Sequence, residues 1–263
     1  MKHPFKMSPI HKNHLCKKGK KHRQIVNPYK FKINATGSLT INGNSTITIT
    51  NSSTAPEIAI ALLELRCANT KNENTIKILN KIIQEVNLTD EEIDELLMKN
   101  NENNEVFAEK ILKTLEKYKD DSTSTIARII GKHCNRESVN NVKKRREIRR
   151  KITLNLLTKE DIMTKMQTEQ RLCLILDNYS VHKSAFIKKI ALHLNITLIY
   201  LPPYSPHLNP IEQIWRQMKR EIKHYYLESK EFLHELTINT YQKSIFDTKV
   251  YDKWFKTYIP KVW

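Results

Sequence analysis

The sequence predicts an α/β fold, and three patterns carry the prediction. Two short apolar runs, Leu172 to Leu176 and Ile196 to Leu201, bracket a stripe of Val181, Phe186, Ile187, Ile190, Leu192 and Leu194 at helical spacing. A strand, a helix and a second strand in that order require a crossover, which makes the two strands parallel neighbours with their carboxyl ends on one edge of the sheet. Upstream, Phe31, Ile33, Leu39, Ile41, Ile47 and Ile49 alternate with Lys, Asn and Thr about Asn42-Gly43-Asn44, the pattern of half-buried strands joined by a hairpin turn. Between these two regions every apolar stripe has a helical period, so a helical segment of about a hundred residues separates them, a size at which a compact domain becomes feasible.

Composition narrows the partners. An apolar share of 39% supports a packed core, and the formal charge of +17 favours a polyanion. No long apolar run is present, so nucleic acid is preferred to lipid and no membrane association is expected. Cys16, Cys67, Cys134 and Cys173 form no Cys-x-x-Cys pair, which argues for a reducing compartment and against a disulfide framework. The basic N-terminus has no apolar signal-peptide core, so export is not indicated and a cytoplasmic location is expected.

In chain order, residues 1–28 read as a basic arm, and no Asp or Glu occurs before Glu57. Ser52, Ser53 and Thr54 before Pro56-Glu57 and the stripe Ile58, Leu62, Leu65 start a helix that ends near Asn69. Residues 70–170 form the helical segment. Ile76, Leu79, Ile82, Ile83 and Val86 make one stripe. Thr89 and Glu92 form a capping box before Ile93, Leu96 and Leu97, and Val106 to Leu115 give another stripe. Near 122–151, Ala127, Gly131, Val139 and the run Lys143 to Arg146 with Arg149 and Arg150 suggest a helix-turn-helix with a basic second helix. Its Lys143, Arg146 and Arg149 are candidates for DNA contact, against the simpler alternative of a solvated basic helix. Residues 227–263 are rich in aromatics suited to helical packing.

Two acids stand where elements meet loops. Asp177 follows an apolar strand that reads as buried on both faces, so it emerges at the strand's carboxyl end, where open α/β sheets place ligands. Asn209 as N-cap and Pro210 at the next position put Glu212 in the first turn of a helix whose buried face is Ile211, Trp215, Met218 and Ile222. Pro202, Pro203, Pro206 and Pro210 stiffen the intervening loop and limit how Glu212 approaches Asp177. Arg216, Lys219, Arg220 and Lys223 occupy the other helix faces, available to phosphates or merely solvated. Asn178, His182 and Asn209 are supporting candidates, with His182 placed to orient a carboxylate or simply to start a helix.

The segments Leu174-Ile-Leu-Asp-Asn-Tyr-Ser-Val-His182 and Leu201-Pro-Pro-Tyr-Ser-Pro-His-Leu-Asn-Pro-Ile-Glu-Gln-Ile-Trp215, followed by Lys219, closely resemble the DDE transposases of the mariner-like superfamily, in particular their prokaryotic insertion-sequence relatives. The spacing of Asp177 and Glu212 is the one that family keeps between its second and third metal-binding acids. A looser resemblance covers Phe31 through Asn69, the family's second and third strands and first helix. It implies a discontinuous ribonuclease-H-like domain over 29–69 and 171–226, a mixed sheet with flanking helices, interrupted by the helical insertion at 70–170.

The resemblance further implies cut-and-paste DNA transposition. Cleavage and strand transfer would be served by two Mg²⁺ or Mn²⁺ ions about 4 Å apart, bridged by a first Asp on the first strand. Here that acid has no counterpart, and the fold is expected to lack its first strand, leaving a hydrogen-bonding edge open. The expected protein is therefore a truncated or rearranged transposase with impaired strand transfer and weakened ion binding. The alternative is a catalytically inactive DNA-binding remnant. A nuclease unrelated to mobility would leave the proline-rich loop unexplained. Terminal-repeat and target DNA are the implied partners, with a homodimer as a further expectation and a nucleoid-associated location.

Overall fold

The computed structural model describes residues 2–6, 31–40, 44–50, 52–99, 109, 113, 116 and 141–245. The rest of the basic arm, the hairpin turn at 41–43, the stripe Val106 to Leu115 (apart from residues 109 and 113), the first part of the helix-turn-helix and the aromatic residues beyond Ile245 lie outside the described residues. The chain divides into two compact units, one comprising Met1–Ile83 with Leu157–Trp263, the other Gln84–Leu156.

The first unit begins with three strands, β1 (Lys2–Lys6), β2 (Lys32–Ser38) and β3 (Thr46–Thr50), antiparallel in that order. β2 and β3 form the predicted hairpin, in register from Asn34↔Thr50 to Ser38↔Thr46. The edge of β2 that the sequence reading leaves open is taken by β1, from Lys2↔Thr36 to Lys6↔Lys32. This corrects the picture of the first few residues as a solvated arm. The segment Lys-His-Pro-Phe-Lys has no alternation to announce a strand, but edge pairing needs only backbone N–H and C=O groups. It brings no carboxylate with it.

Helix α1 (Ala55–Ala68) follows, and the capping box forms as predicted, the Glu57 carboxylate accepting the Thr54 N–H at 2.7 Å. The hairpin is packed on both faces. Ile33 and Ala35 join a core with Trp215 and Tyr241, whereas Thr48 points the other way and hydrogen-bonds Glu64 of α1. Asn44 ties the hairpin's end to the end of α1, its N–H donating to Asn69 Oδ1 at 2.9 Å and its side-chain amide to Ala68 O at 2.7 Å.

Next come α2 (Glu73–Val86), with Leu79, Ile82 and Val86 buried, and α3 (Asp90–Lys99), opened by the predicted Thr89 and Glu92 box. α4 is helical over 141–157. In the second unit its Arg145 binds Asp94 of α3, and Arg149 donates to Leu88 O and Asp90 Oδ1, both at 2.8 Å. α5 (Glu160–Thr168) leads into β4 (Leu172–Leu176), α6 (Ala185–His193) and β5 (Ile196–Tyr200). β4 and β5 are parallel, as predicted, in register from Leu172↔Ile196 to Leu176↔Tyr200.

Among the described residues the strands make two separate ladders, not the single mixed sheet expected. The result is a mixed α/β structure with small sheets, compatible with a ribonuclease-H-like fold. A further departure concerns β4, which was expected to be covered on both faces. Cys173 and Ile175 are exposed, as is Ile199 opposite Ile175 on β5. An unbroken apolar run records what a strand could bury, not what packs against it.

Arg66 of α1 clamps this region. Fully buried, it donates to Gln170 O at 2.9 Å and to Asn195 O at 3.1 Å, closing the loop before β4 and the turn before β5. A short 3₁₀ turn (Pro206–Leu208), α7 (Ile211–Ile222) and α8 (Lys230–Ile245) complete the described chain. No helix among the described residues is long and apolar enough to cross a membrane.

Candidate active site

Asp177 stands where the sequence places it, one residue past the end of β4. Leu201 N–H donates to Leu176 O at 2.8 Å, so the first residue of the proline-rich loop is tied to the residue before the acid. Both stretches therefore leave the parallel pair together, at its carboxyl end. After Asp177 the backbone turns tightly, His182 N–H reaching Tyr179 O at 3.1 Å and Ser184 N–H reaching Val181 O at 3.1 Å. Ser184 then caps α6, its hydroxyl accepting from Ile187 N–H at 3.4 Å.

That turn folds His182 back beneath the acid. The imidazole is buried, and its Nδ1 lies 2.7 Å from Asp177 Oδ1, an ion-pair approach rather than an aligned hydrogen bond. Tyr179 N–H also donates to Oδ1, at 3.4 Å. Burial alone would raise the Asp177 pKa. The imidazole leads the effects that more than offset it, the Tyr179 N–H being a lesser one, and the carboxyl titrates below its usual value. Asp177 is thus an anion at neutral pH, and its side chain retains about a third of its exposure, at 36%.

His182 is itself held from two sides. Tyr200, the last residue of β5, donates its hydroxyl to His182 O at 3.0 Å, and the Tyr179 ring meets the imidazole edge-on at 5.7 Å. Burial raises the Tyr200 pKa, which keeps the phenol protonated as a donor. The sequence reading named His182 but not Tyr200, whose role depends on a register visible only once β4 and β5 pair.

The second acid arrives on a rigid element. The loop after β5 carries Tyr204 in the left-handed region (φ 58°), fully exposed, and passes through the 3₁₀ turn to Asn209. The predicted N-cap shifts by one residue. Pro210 occupies the cap position of α7 with no side-chain cap bond, although the Asn209 carbonyl does accept Glu212 N–H at 3.1 Å. Asn209 is buried, with its Nδ2 unpartnered among the described residues. Glu212 lies in the first turn, as predicted, where the helix dipole favours a negative charge.

The rotation of α7 is fixed by its buried face of Ile211, Ile214, Trp215, Met218 and Ile222. Trp215 lies over Gly37 of β2 and stacks on Tyr241 of α8, with ring centroids 5.8 Å apart. A Cβ at residue 37 would come within 2.8 Å of the indole, so only glycine admits this approach. Glu212 is set, in effect, by the seat of an indole three residues further on.

The donors suit a hard cation. Asp177 Oδ2 has no partner among the described residues, and Asn178 Oδ1 is buried and likewise unpartnered. Yet no three His, Cys, Asp or Glu side chains gather as a ligand set among the described residues. Asp177 and Asn178 thus offer oxygens of the kind a divalent ion takes, without a closed ligand set among the described residues. A two-ion arrangement needs a further acid.

The basic candidates divide. Arg216 and Arg220 are exposed on α7 and Lys223 just past its end, Arg216 also contacting Gln213 Oε1 at 3.3 Å, and Lys219 is half-buried. In the second unit Lys143 and Arg146 are exposed, whereas Arg149 is committed to Leu88 and Asp90. The acids of α3 that bind Arg145 and Arg149 were readable in the sequence, but nothing there placed them opposite α4. Arg66 did leave a signal, as a lone cation among the apolar residues of α1.

A 46-residue stretch, 18% of this chain, is 46% identical to the uncharacterized protein y4pE/y4sA of Sinorhizobium fredii and spans only 32% of that protein's length. No solved structure matches the chain. The family described as DDE superfamily endonuclease matches residues 93–234, a span that includes Asp177, the proline-rich loop and Glu212 but not the β2–β3 hairpin. That span is more than half of the chain, which therefore belongs to the DDE superfamily endonucleases.

Proposed function

We propose that this protein acts in transposase-type processing of DNA, as a relative of the mariner-like enzymes, with Asp177 and Glu212 as two of the acids that hold Mg²⁺ or Mn²⁺. The observation that carries the proposal is the placement of Asp177. It is an ionised, part-exposed carboxylate at the carboxyl end of β4, tied through Leu176 to the loop that delivers Glu212. A divalent ion supplies Lewis-acid stabilisation of charge on a phosphodiester under attack. The chain's own groups do the rest. Asp177 and Glu212 offer hard oxygens, α7 carries Glu212, and the exposed Arg216 and Arg220 of that helix, with Lys223 just past its end, are the groups to meet DNA phosphates.

A second reading is favoured by one further fact. β1, β2 and β3, beside which the family resemblance expects a first acid, contain no Asp or Glu, so strand transfer by this chain alone is expected to be weak. DNA binding without turnover is then its function. Both readings meet one experiment. Mn²⁺-dependent nicking of DNA carrying the element's ends is measured for the full chain, Asp177→Ala and Glu212→Ala. Loss of roughly a hundredfold or more in either variant supports the enzyme. Binding without nicking in any of the three supports the remnant. Nicking that survives in both variants removes Asp177 and Glu212 from the site.

A further inference from the structure

We infer that His182 is a positioning residue that fixes the Asp177 carboxylate for cation binding, and that Tyr200 completes the device by holding the His182 turn. The inference rests on the reading of Asp177 as a metal-binding acid and adds how its orientation is set. Among the described residues the contacts to the carboxylate, His182 Nδ1 and Tyr179 N–H, fall on Oδ1. Oδ2 is left without a partner among the described residues, on a side chain that remains part-exposed. A carboxylate gripped by one oxygen in this way presents the other to an ion in one geometry and loses little freedom on binding.

The grip is preorganised. His182 is 1% exposed, and its Nδ1 has Asp177 as its sole close partner among the described residues. A buried nitrogen so placed keeps its charge-assisted contact only while the carboxylate keeps its rotamer. The turn carrying the imidazole is fixed by three backbone bonds over Tyr179 to Ser184 and by the Tyr200 hydroxyl on His182 O. Since Tyr200 ends β5 and the proline-rich loop starts one residue later, the strand that launches Glu212 also steadies the partner of Asp177.

The geometry assigns the proton to Nδ1, and two measurements on the full chain test it. With isotope-labelled histidine, long-range proton–nitrogen correlation, with the His182 signal identified by its loss in His182→Asn, is expected to show a protonated Nδ1. An unprotonated Nδ1 overturns the inference whether or not metal binds. The second measurement is Mn²⁺ affinity by calorimetry. Loss of a partner that orients a ligand weakens metal binding by about 10–100-fold, the effect expected for His182→Leu and His182→Gln. Asparagine places its amide near the Nδ1 position, which glutamine does not. His182→Asn is therefore expected to restore affinity to within about threefold of wild type.

Equal weakening in all three variants, or in none while Asp177→Asn loses binding, overturns the positioning role. Thermal melting distinguishes the first of these from unfolding, because His182→Asn retains a polar group of similar reach in the same turn. If Asp177→Asn binds Mn²⁺ as tightly as wild type, the metal-site reading itself fails, and the tautomer measurement still decides whether His182 holds the carboxylate.

Discussion

Two half-buried acids of the first unit respond to pH in opposite directions. Glu64 lies beneath the hairpin with the Thr48 hydroxyl on its carboxylate, and burial raises its pKa above 4.5 despite that bond. The fold thus favours its protonated form. Stability from Glu64 is fully present below pH 4.5, the unfolded value, and is lost as pH rises through the higher folded value. Asp177, held below 3.8, contributes stability above that value and loses it as pH falls. Glu64→Gln keeps the acceptor for Thr48 without the charge. In urea denaturation it is expected to match wild type near pH 4 and to gain on it as pH rises through the folded value. A parallel pH profile for the two proteins would show that Glu64 is not desolvated as described.

At the scale of elements, the seating of α7 on β2 controls where Glu212 sits. Gly37→Ala pushes a methyl into the Trp215 ring, whose Cη2 and Cζ2 would lie 2.8 and 2.9 Å away. Overpacking of this kind costs about 1–3 kcal/mol, so the urea midpoint should fall accordingly. Combining it with Trp215→Phe should cost less than the sum of the single changes, because the clash disappears with the larger ring. Additive costs would mean that the two residues do not meet. The buried face of α7 and the boxes opening α1 and α3 were legible in the sequence, because a helix start and a helix face are local patterns. The exposed face of β4, the clamp at Arg66 and the pairing of Arg149 with Asp90 were not, because each depends on which element lies opposite. At the candidate site, residue identities and loop position were readable. The contact between His182 and Asp177 was anticipated only as one option, and Tyr200 not at all.

Over the whole molecule, the net charge of +17 makes polyanion binding largely electrostatic. Affinity for DNA should fall linearly on logarithmic axes as salt rises, and removing Arg216, Arg220 and Lys223 together should reduce the slope by about three. An unchanged slope would place the DNA elsewhere. The same charge has a second consequence, through the bare face of the β4–β5 pair, where Ile175 lies opposite Ile199 with Cys173 two residues along the strand. Mutual repulsion keeps copies apart in dilute buffer, but the Debye length shrinks from about 30 Å at 0.01 M salt to about 3 Å at 1 M. Salt high enough to strip nucleic acid from the protein therefore also removes the barrier that keeps these isoleucines from meeting in solution. Light scattering across a salt series should show particle size growing as DNA is released, and Ile175→Lys should suppress the growth without altering the release.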